Sequence, residues 1–447
     1  MVQRLQSTVA MSTLSFDTDS KTIGFDLMRV ICYWVPIVLI AVAVFDNHAR
    51  LEYAETAIGM VREYVDEVEA STTSSRSKQL TFLSLGALGV VCLMRRTPNA
   101  RSVSDWTVTL PAASLLIYMY STMIWSDDPK ATVKRAILAT CIAVGSWGYG
   151  KAWSLNDFCR AILYLSGLFL VVSIAAEIYY GTFLSMGEPD YRFSGILHPA
   201  RTAFGCSLMA LACFALHRQE NRSVFLFLAI VAIGFTLITK ARTGTAALVV
   251  ASAYFWWRQF SVRGILISIW IGLTLAAGTL FYQGSIGAEL NLDKLTRMGR
   301  EQELADPSKL TGRLPIWNEA LTQFRSRPIR GYGYGAFWSA QRITTFERQN
   351  GWSMTHAHSA YIETLVNLGL IGLALGLAAI WATFLRCRRL TGRDALAGSF
   401  VGALILFGMV SGIAESAFVD DGYELIIAVV GISYIAFRKQ ECETENE

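Results

Sequence analysis

Two of the chain's five histidines stand one residue apart in Thr355-His356-Ala357-His358-Ser359. A neutral imidazole can take a proton from a hydroxyl as that oxygen attacks. Arginines accompany them in segments otherwise poor in cations. Arg192 and Arg201 precede one apolar run, Lys240 and Arg242 separate two others, and a long polar stretch carries Arg297, Arg300, Arg313, Arg325, Arg327 and Arg330. Arginine presents a planar fork of donors that pairs bidentately with phosphate and keeps its charge at any working pH. Several of them arriving from separate loops make a diphosphate cradle without a metal. Blander roles compete: a single arginine can snorkel or pair with Glu188, Asp190, Glu301 or Glu303, and the two histidines can simply border the next helix. A His-x-His pair can also ligate metal, but two ligands without a third are a weak signal.

The remaining titratable residues divide by position. His48 and His217 lack supporting context, while His198 shares a loop with Arg192 and Arg201. Asp127-Asp128 stands where acids of a metal-dependent site would lie, but the following Pro129 favours a helix start. Glu177, Glu363, Glu415 and Glu424 lie within or at the ends of apolar runs, and intramembrane acids are functional candidates by default. They are the main support for a transport path. Glu363, one turn beyond His358, can instead orient a histidine.

The elements that must position these residues are membrane spans. Of the 447 residues 53% are hydrophobic and 17% charged, against about 25% charged in soluble domains. About twelve runs reach spanning length. Their expected bounds are Phe25–Val44, Leu80–Met94, Trp106–Trp125, Val133–Gly150, Ala161–Tyr180, Thr202–Leu216, Val224–Thr239, Thr243–Trp257, Ile265–Tyr282, Ala360–Phe384, Ala395–Phe418 and Tyr423–Phe437. The first follows a polar stretch and is long enough to span, so it reads as a helix and not as a cleaved signal. Alternate connections hold Arg95-Arg96, Arg160, Arg218, Arg258 and Arg386 through Arg393, whereas Val419–Gly422 has no basic residue. The positive-inside rule then puts both termini in the cytoplasm. It leaves one long outer segment, 284–358, between the ninth and tenth spans. That segment predicts a helix through Ile316, Trp317, Ala320, Leu321 and Phe324, followed by a Gly-Tyr-Gly-Tyr-Gly run whose glycines permit close backbone approach. One membrane domain, 1–447, with this loop as a subdomain is the economical organisation. The net charge of +4 gives no sign of a nucleic-acid partner, and the placement of the eight cysteines argues against a disulfide framework.

These stretches, taken together, resemble the O-antigen ligase/polymerase superfamily of bacterial membrane enzymes. The likeness is carried by Tyr191-Arg192-Phe193-Ser194-Gly195 with Pro199, by Ala241-Arg242-Thr243, and by Thr311-Gly312-Arg313 with Trp317. It continues through Arg327-Pro328-Ile329-Arg330-Gly331 to Trp338, then His358-Ser359-Ala360-Tyr361 and Gly369-Leu370-Ile371-Gly372. Trp125 through Pro129, with the glycine–tyrosine run, looks most like the exopolysaccharide polymerase branch. Ser359 and Ala241 depart from the family's usual Asn and Ser.

The resemblance implies an all-α, GT-C-like polytopic fold in the bacterial inner membrane, a periplasmic active site, and metal-independent inverting glycosyl transfer with no cofactor. Arg192, Arg242 and Arg313 would hold the diphosphate of a polyprenyl-linked glycan while His358 deprotonates the acceptor. Arg201, Arg327 and Arg330 would serve a second diphosphate. Tyr332, Tyr334 and Trp338 would stack on sugars, with His356 and Tyr361 also at the substrate. Membrane lipid, a chain-length regulator and export proteins are the further partners it brings in. Transfer to lipopolysaccharide core, transport of lipid-linked sugars and a non-catalytic scaffold are the competing readings.

Overall fold

A computed structural model describes residues 27–55, 76–95, 103–185, 191–259, 313–350 and 355–438. Among them, helices are the regular secondary structure. They are α1 Leu27–His48, α2 Arg76–Met94, α3 Trp106–Ser121, α4 Pro129–Ala152, α5 Leu155–Tyr180, α6 Pro199–Glu220, α7 Ser223–Ile238 and α8 Arg242–Gln259, then α9 Arg313–Phe324, α10 Ala340–Asn350, α11 Ala360–Arg389, α12 Ala395–Ser411 and α13 Tyr423–Ala436. By length and apolarity α1, α2, α3, α5, α6 and α11 can cross a bilayer, and α7, α12 and α13 are shorter apolar helices. The chain is an all-α polytopic membrane protein.

Every expected span within the described residues meets a helix; α4, α6 and α8 run further at both ends, whereas α3 stops at Ser121, short of the expected Trp125. The expected span Ile265–Tyr282 lies outside the described residues, as do Arg297, Arg300, Glu301, Glu303, Glu188 and Asp190. Two expectations need correction. The run Ala395–Phe418 stops being a helix at Ser411, so Glu415 sits on a turn and not inside a span. Ala360–Phe384 is not continuous either, because Gly369 breaks it with φ +68° and ψ −167°.

Local chemistry explains where the helices begin. Asp128 accepts a hydrogen bond from Ala131 N at 3.0 Å with Pro129 in the first turn, so Asp128 is a cap. Ser154 and Asp157 form a capping box on α5. His198 caps α6 through Nδ1, and Ser359 caps α11. Around the bundle, large apolar side chains such as Ile117, Ile124, Val171 and Ile230 face outward, as lipid-facing residues do. Helix α6 is the central post, with 94% of its most apolar window buried. Its alanines, cysteines and glycine let neighbouring backbones come close, the usual packing solution where lipid removes the hydrophobic drive. The crossing of α2 and α4 uses the same device: a Cβ on Gly89 or Gly148 would run into the facing backbone.

The contacts sort the connections into two ends. One end gathers Arg438, Arg386, Asp105, Trp153 and the start of α5. The other gathers the turns around Ser194, Ala241, Gly333, His358 and Glu415. The part of the outer segment from Arg313 onward forms α9 and α10 over the start of α11. Its small core consists of Ala320, Tyr332 and Phe337 against Val366, with Ile316 and Phe346 alongside.

The break at Gly369 frees backbone groups that a lipid environment would leave unsatisfied. The loop before it repairs the damage. Tyr332 and Gly333 donate their N–H groups to the carbonyls of Val366 and Asn367, both at 2.9 Å. Leu370 N donates to Pro328 O at 2.9 Å, and Tyr118 donates its hydroxyl to Leu368 O at 3.1 Å. Gly331 and Gly369 are required at the contact, since a Cβ on Gly331 would lie 2.6 Å from the Asn367 carbonyl and both residues have positive φ. The glycine–tyrosine run is thus a splice into the broken helix.

Candidate active site

The residues around His358 are held from several sides. Glu363, on the first turn of α11, accepts from Ala357 N at 2.9 Å, from Trp338 Nε1 at 3.0 Å and from Asn367 Nδ2 at 2.8 Å. Trp317 Nε1 donates to Ala357 O at 2.9 Å. Glu363 therefore fixes the backbone next to His358 and does not orient an imidazole, which corrects the expected role. Within this frame His358 adopts φ +47°, a left-handed conformation that costs a non-glycine residue on the order of 1–3 kcal/mol. Such strain persists only where the surroundings over-determine the backbone, and functional residues are where it clusters.

The His358 ring meets a carboxylate and a second imidazole. Nδ1 stands 3.9 Å from Glu415 Oε2, and the His356 ring centroid is 4.1 Å away. The other oxygen, Glu415 Oε1, accepts from Arg313 Nη2 at 2.5 Å. Burial alone would raise the Glu415 carboxyl, but the facing His358 ring and the charges of Arg313 and His198 hold it at about 2. A carboxylate so held stays charged and keeps an arginine and a histidine within one small volume.

A second acid–arginine group lies beside the first. Arg201 reaches Asp420 and Glu424, both at 3.3 Å, and Lys78 pairs with Asp421. Burial raises the Asp420 carboxyl against the charges of Arg201 and His356. Arg192 donates from Nε to Thr239 O at 3.3 Å, and Phe193 N donates to Ile238 O at 3.3 Å, so the Arg192 loop lies against the turn that leads into Arg242. Arg242 is exposed at the start of α8, after Lys240 with φ +54°. His358, Arg313 and His356 are thus brought together directly, and Arg192 and Arg242 are brought to one pair of turns at the same end.

Other expected site residues have partners in the framework. Arg327 pairs with Asp127 at 2.7 Å and lies over the Tyr332 ring, 4.7 Å from its centroid. Tyr332 is only 4% exposed and donates its hydroxyl to Gln323 O at 2.8 Å, so it offers no face to a sugar. Tyr334 is tied through its N–H to Thr122 Oγ1, Trp338 is engaged with Glu363, and Tyr361 donates to Met409 O. Arg330 stacks over Trp125 at 5.6 Å. The acids taken as a transport path are also occupied. Glu177 accepts from Ser194 N, Gly195 N and the Tyr191 hydroxyl, and Glu363, Glu415 and Glu424 have the partners given above. Among the described residues no set of three or more histidine, cysteine or carboxylate groups is arranged to hold a metal ion.

Sequence reasoning passed over Asp420 and Arg342, and it gave Glu415 the wrong setting. Arg342 completes the clamp on Asp127 at 2.6 Å and lies over Tyr332 as well. The legible signal was the uncharged-to-acidic switch of Val419-Asp420-Asp421-Gly422 at an end otherwise rich in arginine.

The fold and this cationic, histidine-bearing end define a multi-pass membrane protein with a polar site at one end of its helices. Residues 227–377 match the family model described as O-antigen ligase, a stretch that holds Arg242, Arg313 and His358. The exopolysaccharide production protein ExoQ of Rhizobium meliloti (strain 1021) is 27% identical, with 68% of this chain and 70% of that protein covered. Both likenesses support placing the chain with the O-antigen ligase/polymerase superfamily.

Proposed function

We propose that the chain is a membrane glycosyltransferase that extends a polysaccharide from polyprenyl-diphosphate-linked repeat units at the periplasmic face. The family match and the ExoQ likeness support a polymerase- or ligase-type function at the coarser level. The observation that carries the finer reading is the grouping of Arg313, Glu415 and a strained His358 at one end of the bundle.

In the reaction, a hydroxyl of the acceptor sugar attacks the anomeric carbon of the donor while His358 takes its proton. The C–O bond to the diphosphate breaks, and the lipid diphosphate leaves with the electron pair. Arg313, Arg192 and Arg242 stabilise the charge that grows on it, and a well-placed donor is worth about 3 kcal/mol of barrier. One displacement inverts the anomeric centre. Nδ1 of His358 faces Glu415, so Nε2 is the atom presented to the acceptor. The family description favours one second reading, in which the acceptor is a lipopolysaccharide core and the enzyme is a ligase.

The test is glycan assembly on purified lipid-linked repeat units in liposomes, comparing the parent with His358→Ala and Arg313→Ala. Extension by the parent and a loss of about 10²- to 10⁴-fold in His358→Ala, at equal protein level, is the expected result. Transfer to lipopolysaccharide core only would make it a ligase. Movement of lipid-linked sugar across the bilayer by all three proteins, without bond formation, would overturn the enzyme reading.

A further inference from the structure

We infer that Glu415 is the positioning residue of this site, holding the His358 imidazole and the Arg313 guanidinium in one arrangement through its two carboxylate oxygens. The inference rests on the proposed transfer reaction and adds to it a residue that touches neither the donor nor the acceptor.

Its geometry is specific. α12 ends at Ser411, and the turn that follows is sewn to the residues just after His358: Ala360 N donates to Gly412 O at 2.9 Å and to Glu415 O at 3.1 Å. The Ser359 hydroxyl adds a contact to Gly412 O at 3.4 Å. Main chain and side chain of Glu415 thus act on the same few residues. The carboxylate is 14% exposed and divided in its use, with Oε1 on Arg313 at 2.5 Å and Oε2 toward His358 at 3.9 Å. The latter separation exceeds a hydrogen bond by about 1 Å, a gap of the kind that catalytic pairs close when substrate arrives.

The chemistry requires such a group. A base that presents Nε2 to an acceptor needs its Nδ1–H directed at an acceptor of its own, which fixes tautomer and ring orientation. It also needs stabilisation of the positive charge it acquires with the proton. Glu415 meets both needs, and it is the carboxylate within ion-pair distance of His358 among the described residues. The other charged groups at the ring are Arg313, through the shared carboxylate, and His356. The charges of Asp420 and Arg201 act next to His356's, and that of His198 acts on Glu415. An ordinary counter-ion for Arg313 would have no reason to turn its second oxygen to the imidazole or to share a turn with the strained backbone.

The experiment uses the full-length protein in liposomes with the parent, Glu415→Gln and Glu415→Asp. Two measurements are made: the pH–rate profile of repeat-unit extension, and histidine titration by NMR of the isotope-labelled protein, with only five histidines to assign. Removal of the negative charge beside His358 disfavours the imidazolium and is expected to move the acid limb of the rate profile to lower pH in Glu415→Gln. The rate at its optimum falls about tenfold or more. Glu415→Asp, which retains the charge, keeps the titration within a few tenths of the parent and recovers part of the rate. An unchanged His358 titration in Glu415→Gln overturns the proposal, whatever the rate does. If Glu415→Gln fails to fold, Glu415→Asp decides: a parent-like His358 titration with a reduced rate supports positioning, and a titration displaced like that of a neutral neighbour overturns it. A parent that extends nothing while its titration responds to Glu415→Gln would sink the polymerase reading and leave the His358–Glu415 coupling in place.

Discussion

The two ends of the bundle both concentrate arginine, but they spend it on different partners. At the end that holds Asp105 and Trp153, cations are directed mainly at backbone carbonyls. Arg386 donates to Ile435 O at 3.0 Å and to Arg438 O at 2.6 Å besides pairing with Asp105. Arg438 donates to Trp153 O, Arg258 to Leu390 O, and Lys151 to Leu93 O. These carbonyls close helix C-termini, where a cation is favoured by the helix dipole and completes hydrogen bonds the helix cannot make itself. At the His358 end, most arginines meet carboxylates on turns or helix starts, Arg313 with Glu415, Arg201 with Asp420 and Glu424, Arg327 and Arg342 with Asp127, while Arg192 keeps the carbonyl of Thr239. A carbonyl at a helix terminus is a permanent partner. A carboxylate on a turn stands where the oxygens of another anion can stand, so the second end is built for exchange and the first for closure.

That contrast is broken most strongly at Arg386. It is 5% exposed, and truncation would leave the carbonyls of Ile435 and Arg438 without their donor and take from Asp105 one of its partners. Arg386→Ala is therefore expected to cost about 3–5 kcal/mol of stability, seen as a large drop in thermal midpoint in detergent. The specific activity of the protein that survives should stay near the parent's. A stable Arg386→Ala protein with a lost activity would show that this end also serves turnover.

The helix splice comes next in size. Gly369→Ala places a Cβ against Ile329 O and forces an alanine into φ +68°, at a combined cost of about 2–4 kcal/mol. The same position should tolerate no side chain better than glycine, and protease accessibility of the segment from Pro328 to Trp338 in folded protein would report the loosened contact. An unaffected Gly369→Ala protein would mean that α11 can heal its break without the loop.

How much of this was written legibly in the sequence differs by the kind of interaction. Helices follow from runs of apolar residues and were recovered within the described residues, six of them long and apolar enough to span a membrane, since hydropathy depends only on neighbours along the chain. His358 and Arg313 could be named because their own chemistry is distinctive. The turn bearing Glu415 was hidden by Ala414, Ala417 and Phe418, which prolong the apolar run past the point where α12 ends. Tyr332 was misassigned because an aromatic in a glycine run looks exposed, whereas its ring fills the small core between α9 and α11. Asp127 and Arg327 lie 200 residues apart, and no local pattern joins them. Interactions that require the folded arrangement were the ones the chain's order could not display.

A smaller effect should separate strain from stability at the site itself. His358→Gly removes the left-handed penalty while leaving Glu415 paired with Arg313, so the protein should gain about 1 kcal/mol as it loses its base. The pairing of a raised thermal midpoint with abolished extension would identify the strain as a cost tolerated for function. A lowered midpoint would indicate that the imidazole holds the turn together, and would turn the comparison of the two ends toward closure at both.

The smallest expected effect concerns Asp127, whose two arginines lie at the His358 end but whose role in this structure is framework. Burial works against its charge, yet the hydrogen bonds from Arg342 and Arg327 outweigh it and hold the carboxyl below its ordinary value of 3.8. A group depressed in the folded state contributes stability at pH values above its unfolded value, and loses that contribution as pH falls through the folded value. Because the clamp is partly exposed and screened, its worth is below about 1 kcal/mol. Parent and Asp127→Asn should therefore differ by a few tenths of a kcal/mol to about 1 kcal/mol at neutral pH, and should converge once the pH has fallen through the depressed folded value. Added salt should shrink the gap at neutral pH. A gap that widens on acidification would mean that the carboxylate is a burden in the folded protein, and Asp127 would then belong with the exchangeable acids near His358 and not with the clamp that fastens α10 to the start of α4.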